Sequence, residues 1–184
     1  DALASSAPPV GITAETVASL RDGAGDAALW VDAAKPENSL ILGATSEGGI
    51  EIYDLNGQRI QVLADRLVSL VDVHDNFPFA GGNIALVMAY DAATAELIAY
   101  ALDAQSRTLK ELPTTALETA AEIEGLCLYH SPLSSKFYAF AAGNGEIQQW
   151  EVYENSGAIV GRKIRTVPVG LGAAYCSVQD STGA

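Results

Sequence analysis

The sequence reads GLCLYHSP at residues 125–132, KFYAF at 136–140 and GEIQQW at 145–150. The first two runs are short and apolar, and the third ends on Trp150, which is followed by the acid Glu151. A more polar run comes next, at 162–167. Glycine, asparagine, serine and proline separate the runs, a pattern typical of short β-strands joined by tight connections. This part of the chain therefore predicts a unit of four strands.

The same pattern occurs twice upstream. The predicted first strands are 28–31, 70–73 and 125–128, the second strands are 40–44, 84–89 and 137–141, the third strands end at Asp54, Asp103 and Glu151, and the fourth strands are 59–63, 108–112 and 162–167. Corresponding points recur roughly every 40–55 residues, the period of four-stranded β-propeller blades. The sequence therefore predicts an all-β fold, with three blades of four antiparallel strands and, at 173–178, the first strand of a fourth blade.

Helical alternatives fit the sequence less well. The runs at 50–55 and 146–153 alternate apolar and polar residues with a period of two, and Asn56-Gly57 between two such runs is a strong hairpin signal. The segments 17–21 and 116–123 have some helical character, but we interpret them as connections. The nearly continuous apolar inner strands indicate strands that are covered on both faces.

Composition limits the possible partners. The chain has 184 residues, of which 49% are hydrophobic and 18% charged, and its formal net charge is −13. Nucleic acid and anionic membranes would be repelled by this charge, so neither is expected as a partner. An acidic surface suits cations such as calcium, although a solvated acidic face without a ligand is the commoner explanation.

We interpret residues 1–21 as an N-terminal arm or linker and 22–184 as a partial propeller domain.

Cys127 and Cys176 occupy matching positions on the first strands of successive repeats. Either a disulfide or two buried thiols would suit these positions. We expect buried free thiols, because neighbouring inner strands are often further apart than the roughly 7 Å that bridged Cα atoms allow. With only His74 and His130 as further ligands, the two cysteines do not make a zinc pattern.

Several motifs, in a fixed order, carry a family resemblance. They are EIEGLCLYHSP at 122–132, QQWE at 148–151, GRKIRT at 161–166, LWVD at 29–32, NSLILG at 38–43 and EGGIEIYDLNG at 47–57. Together they resemble the β-propeller phytases, secreted calcium-dependent enzymes that hydrolyse inositol hexakisphosphate. The family fold has six blades, so the resemblance implies a partial six-bladed propeller. It also implies the N-terminal, incomplete domain of a dual-domain phytase, and a secreted or periplasmic location.

The resemblance implies calcium as cofactor and Asp26, Asp72, Glu122 and Glu146 as its candidate ligands, with Asp180 as a further retained acid. Other positions depart from the family pattern. The stretch around Asp26 loses one acid and a proline, His74 stands where the family has a phosphate-binding arginine, Ser46 replaces a lysine, and the stretch 174–180 loses another acid. Because calcium requires six to eight oxygen ligands, we expect weak binding of ion and substrate, and we assign no catalytic residue.

The residues themselves leave alternatives open. Asp26 is equally suited to capping a turn, Asp72 to hydrogen bonding in a central tunnel, and Glu122 to a solvated connection. His130 is interpreted as a structural histidine.

The leading function is that of an incomplete phytase domain, inactive or weakly active alone, that assists an adjoining catalytic domain. The alternatives are an active calcium-dependent phosphatase once another chain or domain completes the ring, and a non-catalytic protein-binding propeller scaffold. We expect an inositol phosphate as a possible ligand, and an adjoining phytase domain or a second copy of the chain, in a dimer, as partner, with Cys176 near the contact.

Overall fold

The computed structural model describes residues 11–21, 23–45, 47–115, 117–119, 122–170 and 175–178. This part of the chain contains thirteen β-strands and a short 3-10 helix, Pro36–Asn38, with no α-helix. It includes no helix of the length and apolarity needed to cross a bilayer. The all-β prediction is confirmed.

Three antiparallel sheets form the fold. The first contains β1 (Ala24–Trp30), β2 (Leu40–Thr45), β3 (Gly49–Asp54) and β4 (Arg59–Leu63) in this order. The second contains β5 (Val68–Phe79), β6 (Gly82–Asp91), β7 (Glu96–Asp103) and β8 (Thr108–Leu112). The third contains β10 (Gly125–His130), β11 (Phe137–Gly143), β12 (Glu146–Asn155) and β13 (Ala158–Pro168), and β9 (Thr114–Thr115) adds to its edge parallel to β13. Each four-stranded meander has the topology of a propeller blade.

Each of the twelve strands predicted for these blades overlaps an observed strand, but β1 begins earlier, at Ala24, β12 continues to Asn155, and β13 begins at Ala158. The structure adds the parallel strand β9 and extends β5 to Phe79. Of the segment 173–178, predicted as the first strand of a fourth blade, residues 173 and 174 lie outside the described residues, and 175–178 form no strand. The described parts of 17–21 and 116–123 contain no helix. Both were interpreted as connections between blades: 117–119 and 122–123 do precede the third blade, whereas 17–21 precedes the first blade and connects no two blades.

The hydrophobic core lies in the two spaces between the blades. One cluster joins the first and second blades, and the other joins the second and third. Along β6, Val87 and Ala89 face the first cluster, whereas Leu86, Met88 and Tyr90 face the second. The second blade is thus buried on both faces, which explains why its inner strands read as continuous apolar runs.

Residues 15–21 of the N-terminal arm cross the face of the first blade that points away from the second blade. The carboxylate of Glu51, a side chain only 1% exposed, anchors them. Its Oε1 accepts hydrogen bonds from the Ser19 hydroxyl (2.6 Å) and the Leu20 N–H (2.9 Å), and its Oε2 accepts from the Tyr53 hydroxyl (2.6 Å) and Arg59 (2.8 Å). Burial acts to raise the Glu51 pKa, but these hydrogen bonds outweigh it and lower the pKa to about 2.

The turn between β3 and β4 also depends on the arm. The N–H of Val17 donates to the carbonyl oxygen of Gly57 (2.9 Å). Gly57 has a φ of +78°, and a Cβ there would lie 1.9 Å from the carbonyl oxygen of Glu15. The Asn56-Gly57 hairpin signal is therefore confirmed, and the glycine also lets the arm approach the turn closely.

Candidate functional site

The inner strands β1, β5 and β10 lie side by side and form one wall of a central pocket of about 540 Å³. Its lining includes Asp26 from β1, Asp72 and His74 from β5, Cys127 from β10, and residues 176–178. The pocket arises because the first strand of every blade faces the same axis, so residues far apart in the sequence meet there.

Asp26 and Asp72 make the same set of hydrogen bonds, one blade apart. In each, Oδ1 accepts from the N–H of the following residue, at 2.8 Å. The Oδ2 of Asp26 accepts from the N–H of Val71 in the second blade (3.1 Å), and the Oδ2 of Asp72 accepts from the N–H of Leu128 in the third blade (2.6 Å). Each carboxylate thus joins its own inner strand to that of the next blade.

The electrostatics at Asp72 follow from its position between blades. Burial is the largest effect and raises its pKa; the hydrogen bonds from Leu128 and Val73 lower it, and the nearby carboxylate of Asp26 raises it. Because the net effect is a raised pKa, the hydrogen bonds to Asp72 do not fully offset the cost of burying its negative charge.

Glu122 and Glu146 lie elsewhere, at one end of the third blade. Glu146 pairs with Gly143 across β11 and β12, and its Oε1 accepts from Gln148 Nε2 at 2.9 Å. The backbone of Glu122 is beside the same glycine, because a Cβ on Gly143 would lie 2.6 Å from the Glu122 carbonyl oxygen. The structure thus places Asp26 near Asp72 and the Glu122 backbone near the start of β12, but it does not gather the four acids into one group.

The described residues do not fit a complete calcium site. Among them, no three His, Cys, Asp or Glu side chains form a group that could hold a metal ion. Calcium takes six to eight oxygens, and all four carboxylate oxygens of Asp26 and Asp72 already accept backbone hydrogen bonds. Ser46 and Asp180, which the resemblance also singles out, lie outside the described residues.

His74, which lines the pocket, also belongs to an aromatic cluster. Its ring centroid is 6.0 Å from that of His130 and 5.2 Å from that of Phe137, and the His130 ring stacks on Phe137 at 4.3 Å. The His74 Nδ1 lies 2.8 Å from the carbonyl oxygen of Asp75, whose Oδ1 accepts a hydrogen bond from the Trp30 indole at 3.0 Å. These contacts hold His74 and His130 between the second and third blades.

Cys127 and Cys176 form a disulfide, with Cα atoms 6.0 Å apart. The expectation of two free thiols is therefore wrong. The physical reason is that the segment after β13 approaches β10 within the distance that a disulfide allows. The matching positions of the two cysteines in successive repeats were the signal that could have indicated the bond.

The comparisons with known proteins agree with this architecture. The family model described as Phytase matches residues 5–181. The chain belongs to the phytase family. Among the relatives of this phytase-family chain, the 3-phytase of Bacillus subtilis (strain 168) is 32% identical over 165 residues. The match covers 84% of this chain but 43% of that relative, so the chain spans less than half of the length of the curated protein it matches.

Proposed function

We propose that this chain is a phytase-like propeller domain that does not hydrolyse inositol hexakisphosphate efficiently by itself and that assists an adjoining, complete phytase domain. One observation carries the proposal. The two pocket acids, Asp26 and Asp72, use both of their oxygens to join neighbouring inner strands. This arrangement suits a structural role for these carboxylates better than a catalytic one.

The charge of the central pocket supports the same proposal. Inositol hexakisphosphate is a dense polyanion, and the described lining of the pocket contains two carboxyl groups and a histidine but no lysine or arginine. With a chain charge of −13, such a surface repels a polyanion unless cations intervene. Productive binding of the substrate then depends on groups that the adjoining domain provides.

Calcium remains part of the proposal only for the assembled protein. The ligands expected from the sequence, Asp26, Asp72, Glu122 and Glu146, would need further oxygens from beyond the described residues to reach the coordination number of calcium. An extracellular or periplasmic location fits the disulfide, because such bonds persist in oxidising compartments.

A second candidate is an active phosphatase whose ring is completed by another domain or chain. The central pocket favours it, because about 540 Å³ of space opens onto Asp26, Asp72 and His74. In this case a partner would supply the cationic groups that bind phosphate.

A phosphate-release assay distinguishes these proposals. Inositol hexakisphosphate and calcium are supplied to the chain alone, to the Bacillus 3-phytase alone, and to the two joined by a flexible linker, with the 3-phytase carrying only the linker as control. We expect the chain alone to remain at background and the joined protein to exceed the control at limiting substrate. Joined protein that is no faster than the control would disprove the assisting role. Turnover by the chain alone, with a second copy as the partner, that disappears in Asp72→Asn would instead support the active phosphatase.

A further inference from the structure

Three boundaries between neighbouring inner segments lie around the central pocket, and we call them seams: β1 with β5, β5 with β10, and β10 with the segment 175–178. Different bonds cross them. The Asp26 carboxylate joins β1 to β5, and the Asp72 carboxylate joins β5 to β10. At the third seam, between β10 and the segment 175–178, the Cys127–Cys176 disulfide occupies the corresponding place. Two seams are thus crossed by hydrogen bonds to a carboxylate, whereas the third is crossed by a covalent bond that can be reduced.

Within the part of the chain that the structure describes, the segment 175–178 makes few other bonds. None of its described residues makes a backbone hydrogen bond, and the Sγ of Cys176 only approaches the carbonyl oxygen of Phe140, at 3.9 Å. The Tyr175 side chain is 92% exposed. By contrast, β10 is paired with β11 along its whole length, and its Leu128 N–H also donates to the Asp72 carboxylate. Among the described residues, the disulfide is therefore the bond that ties this segment to the third blade, and breaking it would leave the pairing of β10 with β11 in place.

We propose that the Cys127–Cys176 bond is a reducible latch on the central pocket. Cys176, Ser177 and Val178 line the pocket, so their release removes one of its walls and increases the exposure of Asp26 and Asp72, which are already half-buried. The latch makes the geometry of the pocket depend on the thiol–disulfide balance of the surroundings. This proposal does not depend on whether the chain hydrolyses inositol hexakisphosphate.

The chemistry is ordinary thiol–disulfide exchange with a dithiol reductant. One thiolate of the reductant attacks Cys176, the more exposed of the two cysteines, and Cys127, only 4% exposed, leaves as a thiolate and takes up a proton. The second thiol of the reductant then displaces Cys176 as a thiol and closes its own disulfide. Two electrons pass to the protein, which gains two thiols, and the dithiol becomes a cyclic disulfide.

Solution NMR of the whole chain under a series of dithiothreitol concentrations tests the latch. Backbone order parameters report the segment, the methyl group of Met88 reports the core, and alkylation followed by mass measurement counts the thiols. Met88 is the only methionine and is fully buried between the second and third blades. It therefore shows whether the blades remain folded when the bond is reduced.

We expect reduction to produce two thiols and to lower the order parameters of 176–178 from about 0.85 to below about 0.6, while the Met88 signal stays native. The variant carrying both Cys127→Ser and Cys176→Ser should show the low values without reductant and should not respond to it. Unchanged order parameters after full reduction would overturn the latch. So would thiols that appear only in denaturant that also abolishes the native Met88 signal, because the bond could then not open in the folded protein.

Discussion

Replacing Glu51 with glutamine tests whether one buried carboxylate fixes the N-terminal arm to the first blade. Glutamine preserves the shape of the side chain but removes the charge that Arg59 pairs with. In either orientation, the amide NH2 group replaces an oxygen that accepts a hydrogen bond in the parent chain. The NH2 group then faces the Leu20 N–H or Arg59, and neither can accept a hydrogen bond. The variant therefore leaves donors unpaired in a buried site.

The magnitude follows from the pKa. Glu51 titrates at about 2 in the folded chain against an ordinary value of 4.5. Each unit of pKa difference corresponds to about 1.4 kcal/mol, so ionised Glu51 contributes about 3 kcal/mol to the free energy of unfolding at neutral pH. Because the folded pKa is the lower one, this contribution is complete above about pH 4.5 and is lost as the pH falls towards 2.

Urea unfolding between pH 7 and pH 2.5 measures this contribution. Glu51→Gln should lose about 3 kcal/mol at pH 7, and the gap to the parent chain should narrow steadily below pH 4.5. Glu37→Gln, at an exposed acid of the same blade, is the matched control and should follow the parent at every pH. If the curves of Glu51→Gln and the parent run parallel down to pH 2.5, the reasoning is refuted.

Two further substitutions test the seams between blades by thermal or urea unfolding. Asp72→Asn leaves one carbonyl oxygen to replace two acceptors, so it should cost about 1–2 kcal/mol; Asp75→Asn should cost less, because a single oxygen there accepts from the Trp30 indole. A neutral Asp72→Asn would contradict the joint between the second and third blades. Gly25→Ala places a methyl group 2.8 Å from a carbonyl oxygen of β5 and should cost about 1–3 kcal/mol, whereas Gly82→Ala meets its nearest atom only at 4.0 Å and should be close to neutral. A neutral Gly25→Ala would show that the first seam is looser than described.

Much of the candidate site was open to prediction from the sequence. The family resemblance singled out Asp26 and Asp72, and the repeat places each beside a predicted inner strand. Their partners were not predictable, since the N–H groups of Val71 and Leu128 lie 45 and 56 residues further along the chain. The Asp72 hydrogen bonds in the pocket agree with the structural alternative considered for that residue. The calcium role of the four acids stays a prediction.

Glu51 shows a residue that sequence reasoning missed. It lies in an alternating strand at a position that normally faces solvent, and nothing in its local sequence indicates burial. Only the path of the arm, which brings Ser19 and Leu20 over the strand, turns it into a buried anchor. Distant segments decide such a site, and they leave no local signal.

The sequence by itself determined the all-β class, the approximate positions of the twelve blade strands and the repeat, because alternation and turn residues act over a few neighbouring positions. It also determined the family, through motifs spread along the chain. Tertiary structure alone decided which groups meet at the axis: whether Cys127 and Cys176 are bonded, which N–H groups the pocket acids bind, and where the arm lies. The physical reason is that these contacts depend on the distance between blades, and that distance is set by how the cores between the blades pack.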